Sequence, residues 1–342
     1  LARAVWLVVA LVLSLPALIA AWTLLISTAF LVEFLSEGTW RPLSAITRDV
    51  SVHPLPASIG ARPISVDLYQ QDGGVTLSPG LVLVHGVSPL GKDDPRLRRA
   101  AALLARAGWA VAVPPMAGLR VLRLRPADVL IVTAAVRAIE QAGHGPVAVL
   151  GVSLGAGPAV LAAADPGVSS SISAVLGLGG YASATELLRY TLTGAYRFDG
   201  ISGRRPVNES AIAQFARANA ELVDAPGQRL VDNRDPRMVD NLVAALPVAT
   251  RRLLAALSPA NAVGQLRAPL FLIHGRDDPA VPFTESLRLQ RAARAAGRSV
   301  RVVIVGSLGH VEPERRAGPL DLVRLGAAFY AFKDLTSAVL GW

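Results

Sequence analysis

VAVLGVSLGAGPAVLAAA, Val147 to Ala164, is the stretch on which the reading of this chain turns. Its first residues are continuously apolar, as in a strand buried on both faces. Ser153 follows at once between small residues, and an alanine-rich stretch suited to a helix begins at Leu154. GVSLG (151–155) therefore carries G-x-S-x-G spacing at a predicted strand-to-helix junction, the nucleophile-elbow pattern. The turn at Ser153 is strained, and side chains at 151 and 155 would collide with the neighbouring strand and helix. It lifts the serine Oγ clear of the backbone at the positive end of a helix, where developing negative charge is favoured. Ser153 is the expected nucleophile.

Outward from this stretch, short apolar strands alternate with helices. Strands are expected at 64–70, 81–86, 109–115, 147–153, 172–180, 270–275 and 300–306. Helices are expected at 95–107, 126–142, 154–164, 284–296 and 319–336. This alternation predicts an α/β protein with a mostly parallel sheet covered by helices on both faces. The pattern breaks between Tyr181 and Arg267, where candidate helices at 208–223 and 237–257 predict a helical cap insertion, 181–267.

A serine hydroxyl needs a base. Of the five histidines, His310 follows the last predicted strand, VRVVIVG, at the sheet edge where catalytic groups gather. His53 lies in a Pro/Gly-punctuated segment and His144 ends a helix, so both read as surface residues. His85 and His274 each precede a glycine at a strand end and read as loop-shaping. The base needs an orienting carboxylate, and HGRDDPAVP (274–282) offers Asp277 and Asp278. Nucleophile, acid and base then fall in the chain order that such a sheet imposes.

LVLVHGVSPLGKDD (81–94) admits two readings. One is a phosphate-cradling loop, but that loop requires Ser or Thr after Gly-Lys, and Asp93 and Asp94 stand there instead. Two carboxylates would repel a triphosphate. The other is a strand running into His-Gly, whose backbone supplies half of an oxyanion hole. Asp93, Asp94 and Pro95 then form an ordinary helix start.

Together LVLVHG, GVSLGAGPA, LFLIHGRDDPAVP and GSLGH resemble the α/β-hydrolase superfamily, in particular dienelactone-hydrolase-like and carboxylesterase-like serine hydrolases. The resemblance spans about residues 64–336. It implies the α/β-hydrolase fold, Ser153 as nucleophile, Asp278 as acid and His310 as base. It further implies that the backbone N–H groups of Val87 and Leu154 form the oxyanion hole, and that the reaction is cleavage of carboxylic esters through an acyl-enzyme with no cofactor or metal. Acyl transfer to another acceptor, or amide or peptide hydrolysis, would use the same triad. A membrane-tethered binding protein without turnover is the reading from another class.

The N-terminus lies outside the family pattern. Val5 to Val32 is a 28-residue run without charge, about 42 Å long as a helix, enough to span a hydrocarbon core of roughly 30 Å with tilt. A transmembrane anchor over 1–35 is expected, with Trp6, Trp22 and Trp40 near the interfaces. A cleavable signal peptide would have an apolar region of roughly 7–15 residues. Arg3 precedes the run and Arg41 and Arg48 follow it, so charge assigns no orientation. Residues 36–62, with Gly38, Pro42, Pro54, Pro56 and Gly60, read as a linker into a hydrolase domain at 63–342.

Composition agrees. Charged residues are 17% and hydrophobic residues 52% of the 342, which supports a large core and argues against disorder. The absence of cysteine excludes disulfides, thiolate metal sites and a Cys nucleophile. The formal charge of +9 comes almost wholly from scattered arginines, which argues against a nucleic-acid partner and is favourable toward anionic lipid. The expected partners are a small-molecule or lipid-like ester and the membrane; nothing in the sequence indicates an oligomeric state.

Overall fold

The computed structural model describes residues 2–73, 78–306, 308–310 and 318–337, with side chains from Pro16 onward. Ser307 and residues 311–317, which flank His310, lie outside the described residues, as does the side chain of Trp6.

Helix α1 (Ala2–Leu35) and the short α2 (Pro42–Ile46) precede strands β1 (Val50–Ile59), β2 (Arg62–Gln71) and β3 (Gly80–Val84). Then come α3 (Pro95–Arg106), β4 (Ala110–Val113), α4 (Ala127–Gln141), β5 (Val147–Val152), α5 (Ala156–Ala163) and β6 (Ile172–Leu178). An insertion follows, with α6 (Ala184–Thr193), β7 (Ala195–Phe198), β8 (Ile201–Arg204), α7 (Glu209–Ala218), α8 (Ala225–Asp232), α9 (Val239–Ala244) and α10 (Val248–Ala256). The chain returns through β9 (Leu270–Gly275), α11 (Thr284–Ala295), β10 (Val300–Val305) and α12 (Pro319–Ser337).

In the described residues the central sheet runs β1-β2-β4-β3-β5-β6-β9-β10. The β1–β2 and β2–β4 pairs are antiparallel and the rest parallel. Every residue of β3, β4 and β9 is buried, which explains why these strands read as unbroken apolar runs. On one face Val82, Val84, Val147 and Val149 meet α4, α5 and α11 in a single core. On the other, Leu81, Leu83, Ala148 and Leu150 join the core under α3 and α12. The catalytic candidates sit beyond the carboxyl ends of the parallel strands, between the two cores.

Three expectations change. The segment read as linker, 36–62, contains α2 and β1. Proline usually marks a break, but β1 is the edge strand, and Pro54 and Pro56 sit opposite Asp67 and Ser65 without interrupting the pairing. Leu55 between them is buried in the core. The insertion is also not wholly helical: β7 and β8 form an antiparallel hairpin turned at Asp199–Gly200, both with positive φ. The stretch 237–257 forms two helices, not one, because Pro247 falls between α9 and α10. Leu192, Ile212, Leu230, Val239 and Leu246 give the insertion its own small core.

Among the described residues α1 is the one helix long and apolar enough to cross a membrane, by length and composition. It does not face outward throughout. Thr23, Ile26, Ser27 and Phe30 recur at helical spacing and are buried, and Glu33 continues the stripe. They pack on α12, where the Phe30 and Phe329 rings stack with centroids 4.1 Å apart. Leu18, Ile19, Trp22, Leu24 and Leu25 remain exposed. Glu33, which is 4% exposed, accepts the backbone N–H and the hydroxyl of Ser44 in α2 and so ends the apolar helix on a fixed polar anchor. Replacing Glu33 with Ala should destabilise the domain by about 1.5–3 kcal/mol, the range for hydrogen bonds to a charged group. Chemical denaturation of the full chain in detergent checks this, and an unchanged midpoint would remove Glu33 from the fold's support.

Candidate active site

Ser153 follows β5 directly, in a 3₁₀ turn (Ser153–Gly155) that leads into α5. Its φ is 52°, a left-handed value that costs a non-glycine residue energy and persists only where its surroundings enforce it. The flanking glycines explain the enforcement. A Cβ on Gly151 would lie 2.5 Å from the Ala156 Cα, and one on Gly155 would lie 2.3 Å from the His85 carbonyl oxygen. The turn thus wedges between α5 on one side and the end of β3 on the other, as the small flanks predicted.

His310 lies beyond β10. Its Nε2 is 2.6 Å from the Ser153 Oγ and its Nδ1 is 2.7 Å from Asp278 Oδ2. A carboxylate only accepts, so Nδ1 carries the proton and Nε2 offers its lone pair to the serine hydroxyl. Asp278, beyond β9, is 1% exposed. Its Oδ1 accepts the N–H groups of Ala280 and Val281 at 2.8 and 2.9 Å. Burial pushes the Asp278 carboxyl up, but hydrogen bonds from His274 and His310 outweigh it, and the pKa is lowered to about 2. Asp277, the rival candidate, is exposed and faces Arg205 at 3.3 Å, away from His310.

His274 is the residue whose part the sequence did not reveal. It is fully buried, with Nδ1 2.7 Å from the Ser286 hydroxyl and Nε2 2.9 Å from the Val281 carbonyl. The carbonyl only accepts, so Nε2 carries the proton, which also lies toward Asp278 Oδ2 at 3.3 Å. His274 supports the acid from below. An HG dipeptide at a strand end was the available signal, but nothing in its spacing told support from turn formation. His85 shapes its loop as expected, its Nδ1–H donating to the Gly86 carbonyl at 2.7 Å. Burial pushes its imidazole below the ordinary value. His144 is buried, against expectation, with its two nitrogens on Gln70 and the Ser78 carbonyl, because the turn after α4 folds under the sheet. His53 stays exposed on β1.

The two candidate oxyanion donors, Val87 and Leu154, belong to the lining of the same cavity as Ser153. Leu154 N–H is in the first helical turn, where no preceding carbonyl serves it. Val87 N–H makes no hydrogen bond among the described residues. Its loop is stitched by Asp94, which accepts the Ser88 hydroxyl at 2.7 Å and caps α3 through the Arg96 N–H at 2.9 Å. Gly86 lets this loop pass close, since a Cβ there would meet the Ser153 Cβ at 2.8 Å. Val87, Ser153, Leu154 and His310 all line one cavity of about 1160 Å³, whose other walls come largely from apolar side chains of the insertion. No cluster of metal-ligating side chains occurs among the described residues.

The comparisons agree with the fold. A model of the Prolyl oligopeptidase family matches residues 247–333, the stretch carrying Asp278 and His310. Among solved structures, the acylaminoacyl peptidase of Pyrococcus horikoshii superposes with a TM-score of 0.57 at 17% identity, over 85% of this chain and 42% of its own. A puromycin-hydrolyzing peptidase of Mycobacterium tuberculosis gives 0.55 at 18% identity, over 87% of this chain and 40% of its own. This chain therefore spans about two fifths of the length of either peptidase. A dienelactone hydrolase of Anabaena variabilis is covered over 97% of its length, but at a TM-score of 0.48. No curated protein matches the sequence. The fold is that of the α/β-hydrolases, and the stretch 247–333 is similar to the Prolyl oligopeptidase family.

Asp278→Asn should preserve the packing but remove the acceptor that fixes the His310 tautomer, lowering kcat by on the order of 10⁴-fold, measured on any ester the wild type turns over. The sign of the pH effect follows from the lowered pKa. The Asp278 charge contributes stability that is fully present above the unfolded carboxyl value near pH 4 and is lost as pH falls through about 2. Thermal unfolding from pH 5 to pH 2 should therefore fall more steeply for wild type than for the variant; parallel curves would contradict the assignment.

Proposed function

We propose that the chain is a serine hydrolase that cleaves carboxylic esters through an acyl-enzyme, with Ser153, His310 and Asp278 as nucleophile, base and acid. The reading rests on one observation, the hydrogen-bonded run from Ser153 Oγ through the His310 ring to a buried, doubly amide-bound carboxylate. His310 Nε2 takes the serine proton as Oγ attacks the ester carbonyl. The oxyanion settles on the N–H groups of Val87 and Leu154, each worth roughly 3–4 kcal/mol to the transition state. As the tetrahedral intermediate collapses, His310 hands its proton to the departing alcohol oxygen. It then takes a proton from water, whose oxygen attacks the acyl carbon, and returns that proton to Ser153 as the acid leaves. Asp278 stays ionised throughout and balances the imidazolium.

Peptide hydrolysis is the second reading, and the Prolyl oligopeptidase family match over 247–333 favours it. The cavity argues for esters. A bound peptide would bring several backbone N–H and C=O groups into walls that are mostly Leu, Val and Phe, and each unpaired group costs on the order of 1–3 kcal/mol. An ester brings no N–H. We further place residues 181–267 as a cap over the serine and the N-terminal part of α1 in a membrane as a single-pass anchor. The exposed apolar face of α1 at Leu18, Ile19 and Trp22 supports this.

A fluorophosphonate probe should label the full chain, and Ser153→Ala should abolish the label; an adduct that survives the substitution refutes the assigned nucleophile. With matched acyl groups on an ester and an anilide, kcat/KM should favour the ester by more than the intrinsic reactivity difference. The opposite order would favour the peptidase reading.

A further inference from the structure

The cavity at Ser153 is larger than the triad and cap require. At about 1160 Å³ it exceeds the roughly 300–1,000 Å³ of ordinary small-ligand pockets. Its apolar lining falls into two groups, which define two arms. One group belongs to the insertion and includes Leu187, Phe215, Leu230 and Leu253. The other combines Leu83, Leu150 and Leu176 of β3, β5 and β6 with Phe30 and Phe34 of α1 and Leu325 and Phe329 of α12, on the sheet face that packs against α3 and α12. This second arm is walled by the same helix that carries the apolar N-terminal run.

The wall is built, not incidental. Phe30 stacks on Phe329 at 4.1 Å and on Phe34 at 5.9 Å, and Trp109 meets Phe329 edge-on at 5.8 Å. Trp109 is buried and held by its indole N–H to Thr336 at 3.2 Å. Arg99 of α3 donates to the Glu37 carbonyl at 2.9 Å, which ties α3 to the end of α1 beside the arm. The four side chains from α1 and α12 offer no hydrogen-bond partner, so the arm suits hydrocarbon.

We propose that this arm receives a long unbranched hydrocarbon chain of an ester lipid drawn from the bilayer, and that Phe30 and Phe34 of α1 set the chain length accepted. The proposal rests on the ester-hydrolase reading above and names its substrate class. The bilayer is the source because α1 is continuous from the exposed apolar face to the arm. Trp22, 55% exposed, precedes Phe30 by eight residues, about 12 Å of helix. That is longer than the headgroup region, about 5–8 Å on each side of the hydrocarbon core, so a Trp22 at the core boundary sets Phe30 just beyond the headgroups. α1 is then a wall of the substrate site as well as a tether. With both arms meeting at Ser153, one apolar part of the ester lies in the cap and the other against α1.

The test uses the full chain in detergent and p-nitrophenyl esters from butyrate to palmitate, with rates divided by the fraction of Ser153 that a fluorophosphonate labels. Phe34→Trp and Leu325→Trp shorten the arm. Each should lower the palmitate-to-butyrate ratio of kcat/KM by about tenfold or more, since every methylene kept out of an apolar site forfeits about 0.8 kcal/mol. Phe34→Ala lengthens the arm and should move the preference toward longer chains, which keeps the test decisive if a bulky variant fails to fold. Ratios unmoved by all three, with Leu253→Trp in the cap moving them instead, would put the chain in the other arm and overturn the proposal. For the source, the full chain in phosphatidylcholine vesicles is given a palmitoyl ester in its own bilayer or on a cyclodextrin carrier. Faster turnover from the shared bilayer is expected, and faster turnover from the carrier overturns the bilayer source. If Ser153 takes no label and no ester is cleaved, the ester reading itself fails. A labelled serine that cleaves short esters, with ratios unmoved by the arm variants, overturns only the arm.

Discussion

A carboxylate with almost no access to water, Asp278, is the interaction around which this site is organised. Burial alone would drive such a group neutral, and a neutral acid could not hold an imidazole in one tautomer. Two backbone N–H groups on one oxygen and two imidazoles at the other reverse that outcome. The charge then orients His310, and His310 orients the Ser153 hydroxyl. The cost of keeping a charge in the interior is met by the loop 278–281, which folds back on its own aspartate. The order of the cause matters: the loop fixes the carboxylate, and the carboxylate fixes the imidazole.

Much of this was legible in the sequence because the physics is local. Gly151 and Gly155 flank Ser153 for steric reasons that depend on close neighbours along and beside the strand, and the structure puts backbone atoms within 3 Å of where their side chains would be. The fully buried strands announced themselves because parallel sheets demand apolar residues on both faces. The choice between Asp277 and Asp278 was not legible from composition; it depends on which side chain the turn after β9 points inward. His274 was illegible for the same reason, since its partners Ser286 and Val281 are brought to it only by the turn. Pro54 and Pro56 misled because proline's meaning depends on whether a strand has a neighbour on both sides, which the sequence does not state locally.

The N-terminal helix shows a different kind of illegibility. Lipid and protein interior both accept Leu, Phe and Ala, so an apolar run looks the same whether it faces one or the other. Only the polar residues within it separate the cases. Ser27 and Glu33 are buried against protein, and Glu33 is bonded to Ser44, a partner eleven positions on. An anchor from residue 1 to 35 was the natural expectation; from Ile26 onward one face of the helix, with Ile26, Ala29 and Phe30, belongs to the core beneath the sheet.

Pocket shape and the Asp278 charge are also mechanically joined. Tyr190, in the first helix of the insertion, donates its hydroxyl proton to the carbonyl of Pro279, the residue after the acid. Glu285, buried at the start of α11, accepts the N–H groups of Ala182 and Ser183 at the base of the insertion. Tyr181 closes the other side by donating to the Leu257 carbonyl. The insertion therefore hangs from the turn that holds Asp278 and from the helix that follows it. A change that repacks the insertion to admit a different substrate pulls on the loop that sets the acid's charge. Under the proposed function selectivity and turnover are then not independent properties, because the residues that shape the cavity also hold the Asp278 loop in place.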